Sequence, residues 1–224
     1  MRTTVHLLRH GEVHNPDGIL YGRSGGFHLS ELGTRMAERV ADRMGDRDIV
    51  RIVSSPLERA QETAAPLAQR RGLEVVIDER VVESANIFEG RAFSLRNGIF
   101  RRPSTWKHLW NPLRPSWGEP YRDIAARMWA AVEDARDGAT GHESVVVSHQ
   151  LPIWVARLFA ERRRFLHDPR HRQCTLCSLT SFTFADERLV TISYAEPAGD
   201  LIPVGDRRAA FSAGGAAEED KPIS

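Results

Sequence analysis

"LLRHGEVHNPDG", residues 7–18, is the stretch whose reading decides the fold. His10 and His14 stand four apart with Glu12 between them, a spacing that on a helix would put both imidazoles on one face. A zinc-protease helix carries His-Glu-x-x-His, however, and here the glutamate falls one position late. Gly11 follows His10 directly, and Asn15-Pro16-Asp17-Gly18 is turn chemistry, so a helix does not run easily through the segment. Without a helix the spacing loses its meaning, and no metal site is expected. What remains is a short buried strand over residues 3–8 with Arg9, ending at Arg9-His10. Gly11 then lets the backbone turn or approach a ligand closely.

Working outward, "SELGTRMAERVADRM" and the Leu29 just before it place Leu29, Leu32, Met36, Val40 and Met44 at helical spacing, with Ser30 as N-cap. "IVRIVSS" is a second strand. "PLERAQETAAPLAQRRG" is a second helix, with Pro56 suited to its first turn and Gly72 to its end. "LEVVID" is a third strand, "YRDIAARMWAAVEDARDG" a helix, "ESVVVSH" a fourth strand and "QLPIWVARLFAERR" another helix. "TLCSLTSFTFADERLVTISYAE" has the pattern of a hairpin turning near Asp186-Glu187. Strands alternate with helices and are apolar on both faces, which predicts an α/β fold. The expected architecture is a three-layer sandwich with a mostly parallel mixed sheet and an inserted lid. The final hairpin requires at least one antiparallel strand.

Two segments break the rhythm. Residues 86–118 are long, irregular and basic, with Trp106, Trp110 and Trp117 beside Arg96, Arg101, Arg102, Lys107 and Arg114. A loop of this length is commonly a functional lid, and three tryptophans argue against disorder. The domain organisation expected is one domain over residues 1–202 with that lid inserted, and a flexible tail over 203–224.

Composition narrows the function classes. The chain has 224 residues, 41% hydrophobic and 27% charged, the balance of a globular protein. With 31 basic and 30 acidic residues the net charge is +1, so nothing global draws it to nucleic acid or an anionic membrane. No stretch approaches the length of a membrane-spanning helix, and the N-terminus has no secretory pattern, so a cytoplasmic protein is expected. Cys174 and Cys177 are the two cysteines, which rules out a disulfide framework. Their CxxC spacing lacks a second ligand pair for zinc, and "CTLCSLTSFTF" has the look of a strand, on which residues three apart face opposite sides. Two reduced thiols are expected.

In open α/β sheets ligands bind beyond the carboxyl ends of the strands. The first strand delivers Arg9 and His10 there, and "SVVVSH" delivers His149. Arg59 stands just inside the helix after the second strand, whose first N–H groups also favour an anion. Arginine forks onto phosphate oxygens, and neutral imidazole is a competent nucleophile. Two histidines and two arginines at three strand ends point to phosphate chemistry.

These residues resemble the histidine phosphatase superfamily, with its phosphoglycerate mutase-like fold. "LLRHGE" matches the family's first signature, "SSPLERAQETA" resembles its second motif and "VVVSH" its last. Glu83, in "VVESANIFEG", falls where the family has its acidic residue, ahead of Glu89-Gly90. The resemblance runs in order over about residues 3–195. It implies that His10 becomes phosphohistidine, that Arg9, Arg59 and His149 hold the phosphoryl group, and that Glu83 protonates the leaving oxygen. It implies no metal and no cofactor. Asn15 stands slightly earlier than the family's asparagine and is a candidate phosphate ligand; Arg23 is a further candidate at the pocket mouth, or simply an exposed loop arginine. His6 is expected in the core or behind the site, and His14 and His28 in loops. "SANIFEG" lacks the Arg-His-Tyr-Gly run of glycolytic mutases and is about one residue short of the common pattern. The function expected is therefore a metal-independent phosphatase acting on small phosphomonoesters. Alternatives are a phosphomutase of the same chemistry or a non-catalytic binding module built on the tryptophan-rich insert. The protein is expected to act as a monomer or homodimer, without nucleic-acid or membrane partners.

Overall fold

The computed structural model describes residues 1–85, 118–168 and 171–202. The expected lid at 86–118 falls almost wholly outside the described residues, as does the tail at 203–224, and with the lid goes the part of Glu83's motif that follows Ala85.

Six strands form one sheet. They are β1 (Arg2–Arg9), β2 (Ile49–Ser54), β3 (Val75–Ile77), β4 (Glu143–Ser148), β5 (Leu179–Ala185) and β6 (Arg188–Ala195), in the order β3-β2-β4-β1-β5-β6. β3, β2, β4 and β1 run parallel; β5 pairs antiparallel to β1, and β6 antiparallel to β5. Only β5 therefore opposes the rest, and the hairpin turns at Asp186-Glu187 as expected. Among the described residues four α-helices connect the strands: α1 (Glu31–Met44), α2 (Glu58–Arg71), α3 (Tyr121–Asp137) and α4 (Gln150–Ala160).

The strand period of two divides the core between the two faces. Leu8, Ile52, Val145 and Val147 pack with Met36, Val40, Ala64 and Leu67 under α1 and α2. Val5, Leu7, Val146 and Phe182 pack with Ile124, Met128, Val132 and Ile153 under α3 and α4. Helices thus cover both faces of the central strands, giving the three layers. The edge strands depart from the expected two-sided burial. β3 is partly exposed throughout, and β6 alternates, because neither has a neighbour on its outer side.

Local signals explain the helix ends. Ser30 caps α1 by accepting from the Gly33 N–H at 3.0 Å. Gly72 ends α2 in the left-handed region, φ 64°, where glycine carries no Cβ penalty. Pro56 does not enter α2. The Ser55 N–H still bonds the Val147 carbonyl across the sheet at 3.0 Å, so the chain leaves the ladder late and α2 begins at Glu58. "CTLC" is a turn ahead of β5 rather than a strand, closed by Ser178 N–H to Thr175 O at 3.1 Å, with Cys177 at φ 52°. Both thiols are free and fully buried, and they do lie on opposite faces, Cys174 in the core under α3 and α4 and Cys177 in the core under α1 and α2.

Candidate active site

β1, β4 and β2 are neighbours in the middle of the sheet, and all end at the same level. Arg9 pairs in register with Ser148, and Ser54 with Val147. The next residues, His10, His149 and Ser55, therefore emerge side by side. The imidazole centroids of His10 and His149 are 5.1 Å apart. Arg9, Arg59, His10 and His149 are all essentially buried, with relative exposures of 1%, 0%, 2% and 0%. Two guanidinium groups sunk this deep in a core are uncommon, and they sit around the two histidines.

Backbone carbonyls hold them. Arg9 Nη1 donates to Cys174 O at 2.8 Å, and Arg59 Nη2 to Gly22 O at 2.6 Å. The Arg59 guanidinium also lies 4.6 Å from the ring centroid of Tyr21. His10 Nδ1 donates to Gly11 O at 2.7 Å, which turns a neutral ring so that Nε2 carries the lone pair. His149 Nε2 lies 2.8 Å from Ser55 Oγ, and His149 Nδ1 has no partner among the described residues. Burial, with the neighbouring Arg59 and then Arg9, holds the His10 imidazole well below its usual pKa. Burial, Arg59, His10 and Arg9 do the same to His149. Neither α2 nor α4 has a side-chain N-cap, so the partial positive charge of both helix starts joins this cluster.

Glu83 is partly exposed and lies within electrostatic reach of Arg59, Arg172 and Arg9. Burial of its carboxyl raises its pKa, against the pull of the Ser84 N–H, which donates to Oε1 at 2.8 Å, and of those arginines. Arg23 anchors this segment: its Nε donates to Glu83 O at 2.6 Å and its Nη2 to Glu119 Oε2 at 2.8 Å. Its charge is thus balanced by Glu119, and its position fixes the backbone of Glu83. Asn15 is buried and clamps its own turn, with Nδ2 donating to Ile19 O at 2.8 Å and Oδ1 accepting from Ile19 N–H at 3.0 Å. No helix crosses residues 10–30, so the two-histidine metal geometry is absent from that loop. His6 is a core residue, bonded to Ser181 Oγ at 2.7 Å and Glu143 Oε2 at 3.0 Å.

Several residues around the site have no sequence signal. Tyr21 is 3% exposed, its ring stands edge-on to His10 at 6.5 Å, and its hydroxyl has no partner among the described residues. Thr63 Oγ1 accepts from Gly11 N–H at 3.0 Å and donates to Arg59 O at 2.7 Å, tying α2 to the His10 turn. Gln150 shares the Cys174 carbonyl with Arg9, and its own Oε1 accepts from Arg172 Nη1 at 3.3 Å. These residues become neighbours of the site only on folding.

The chain is similar to known proteins along most of its length. The model of the histidine phosphatase superfamily (branch 1) matches residues 5–196. The Mycobacterium tuberculosis protein Rv0525 is 56% identical over 196 residues, covering 88% of this chain and 97% of that one. The probable phosphoglycerate mutase GpmB of Yersinia pestis is 32% identical over 155 residues, 66% of this chain and 70% of GpmB. Among solved structures, a phosphoserine phosphatase of Entamoeba histolytica in complex with phosphoserine aligns with a TM-score of 0.68 at 25% identity, covering 87% of this chain and 98% of that one.

Proposed function

The chain belongs to the histidine phosphatase superfamily, and on that premise we propose that it hydrolyses small phosphomonoesters through a phosphohistidine on His10, without a metal. The observation that carries this reading is the neutral His10 ring, its Nδ1 bound to Gly11 O, enclosed by Arg9, Arg59 and His149. Nε2 attacks phosphorus as the P–O bond to the leaving group breaks. Charge spreads over the three equatorial oxygens, where Arg9, Arg59 and the starts of α2 and α4 are already fixed. A Ser55 hydroxyl donating to His149 Nε2 leaves a proton on His149 Nδ1 for one of those oxygens. Glu83, whose pKa is raised by burial of its carboxyl, gives its proton to the leaving oxygen. Water then attacks the phosphohistidine, Glu83 takes the water's proton, and inorganic phosphate departs.

The test is hydrolysis of 4-nitrophenyl phosphate. His10→Ala should lower kcat by at least about a thousandfold, the scale of losing a nucleophile, and EDTA should leave the rate unchanged. Quenched wild-type protein should carry an acid-labile, alkali-stable phosphoryl label that His10→Ala lacks. Retained turnover in His10→Ala would overturn the assignment. The likeness to GpmB favours one second reading, a phosphomutase. The missing Arg-His-Tyr-Gly run after Glu83 supports hydrolysis over it, and an assay for interconversion of 3- and 2-phosphoglycerate separates the two.

A further inference from the structure

Glu83 stands on a stretch with little backbone structure of its own. After a single 3-10 turn over Glu79–Val81, residues 82–85 join no strand and no helix. Carbonyls in such a run need donors from elsewhere, and side chains from three other parts of the chain supply them in succession. Arg127 Nη1, on α3, donates to Arg80 O at 2.5 Å and to Val82 O at 2.7 Å. Ser148 Oγ, at the end of β4 and next to His149, donates to Val81 O at 2.7 Å. Arg23 Nε, from the loop before α1, donates to Glu83 O at 2.6 Å. Every carbonyl from Arg80 to Glu83 is thus held by a side chain. Glu119 adds its backbone N–H, which donates to Ala85 O at 3.1 Å.

Both arginines converge on one carboxylate. Arg127 forks onto Glu119, with Nε to Oε1 at 2.8 Å and Nη2 to Oε2 at 3.0 Å, and Arg23 Nη2 reaches the same Oε2 at 2.8 Å. The side chains of Arg127 and Glu119 are each 16% exposed, so the fork escapes much of the screening that weakens a surface pair. Arg127 therefore has two nitrogens fixed on Glu119 and the third on the backbone that leads into Glu83. Arg23 is divided in the same way, one nitrogen on Glu119 and one on the Glu83 carbonyl. The carbonyls bound by Arg127, Arg23 and Glu119 all lie between Arg80 and Ala85, so this bracket acts on the segment that carries Glu83.

We infer that Glu119 is a positioning residue for the general acid: through Arg127 and Arg23 it sets where the Glu83 carboxyl stands relative to the leaving oxygen. This rests on the hydrolytic reading above and deepens it. Proton transfer needs the donor within hydrogen-bond reach of the departing oxygen, and a misplacement of about 1 Å costs up to about a hundredfold in rate. A run without a ladder of its own keeps such a position only while its outside donors stay fixed, and Glu119 fixes two of the three.

The experiment compares phenyl phosphate with 4-nitrophenyl phosphate, two esters of similar shape whose leaving oxygens differ in basicity. Glu119→Gln keeps the size of the side chain and removes the charge that fixes the arginines. It should lower kcat on phenyl phosphate by about tenfold, but on 4-nitrophenyl phosphate by no more than about threefold, because the better leaving group needs less help from an acid. Both rates come from one preparation, so their ratio does not depend on the folded fraction. In a Glu83→Gln background the same substitution should leave the ratio where it is, since bracket and acid act as one unit. Arg23→Met, at a more exposed position, should reproduce the selective loss without raising KM. Equal losses on both esters, or a selective loss that persists once Glu83 is replaced, would overturn the inference. Amide hydrogen exchange over residues 79–85 reads the bracket without turnover: it should quicken in Glu119→Gln, and unchanged exchange there would also overturn the inference. Wild-type protein that hydrolyses neither ester, with exchange still quickened in Glu119→Gln, would remove the hydrolytic reading and leave the bracket on Glu83. Hydrolysis that depends on His10, with equal losses in Glu119→Gln, would do the reverse.

Discussion

Burial moves His10 and Glu83 in opposite directions, the imidazole towards a lower pKa and the carboxyl towards a higher one. The two shifts favour the uncharged form of each group, the forms that the proposed mechanism uses. The rate should fall below the lowered His10 value, as the nucleophile protonates, and above the raised Glu83 value, as the acid is lost. An acid-side optimum in kcat/KM is expected, and its basic limb should disappear in Glu83→Gln. The same variant should lose about a hundredfold on an alkyl phosphate but no more than about tenfold on 4-nitrophenyl phosphate, whose phenolate leaves without help. Equal losses on both esters would mean that Glu83 does not protonate the leaving group. At this scale the sequence exposed Arg9, His10, Arg59 and His149, because each directly follows or closely trails an apolar strand and so has its position set locally. Tyr21 was not legible, since its signal is burial against His10 with a hydroxyl that has no partner among the described residues, which only the folded chain defines.

At the scale of elements, glycine has a different task from the one expected. Gly11 does not take a positive φ; its backbone lies against α1. A Cβ on Gly11 would meet Gly33 O at 2.8 Å, and one on Gly33 would sit 2.0 Å from Glu12 O. Two glycines 22 positions apart, from the numbering, let the His10 loop rest directly on a helix start. Glu12, read as an ordinary loop residue, accepts from the Ser30 hydroxyl there. Gly33→Ala, favourable in most helices, should here cost about 2 kcal/mol or more and lower kcat, because the loop must move. Urea denaturation together with steady-state kinetics reads both effects. Thr63→Val removes the hydroxyl joining Gly11 N–H to Arg59 O, and leaves that buried N–H unsatisfied. It should cost about 1–3 kcal/mol and lower kcat; a change in kcat alone, with stability intact, would contradict the tie between α2 and the loop.

Over the whole molecule, the sheet's other end contributes a pH-dependent share of stability. Glu143 accepts from His6 and from Arg47 at 2.6 and 2.8 Å, and although burial opposes it, these bonds pull its pKa down to about 2. A carboxyl depressed on folding stabilises the native state above its unfolded pKa, near the ordinary glutamate value. That contribution, on the order of 2 kcal/mol after allowance for the half-exposed Arg47, is lost as pH falls from about 4.5 towards 2. Glu143→Gln should therefore lower the Tm at pH 7 and flatten its decline across that acid range; an unchanged slope would sink the assignment. The alternation of strand and helix was legible at this scale because hydrophobic period is a local property. So were His10, Arg9, Arg59 and His149, as residues at or just after strand ends. The order β3-β2-β4-β1-β5-β6 was not, and it is what makes the site. Residues 139 apart in number, His10 and His149, become neighbours because β1 and β4 pair in parallel and in register. Strand pairing is a choice among long-range partners, made by the packing of all the layers together. The sequence by itself determined that two histidines and two arginines stand at strand ends, because that pattern is local; only the tertiary structure decided that they meet, because strand pairing joins residues far apart in the chain.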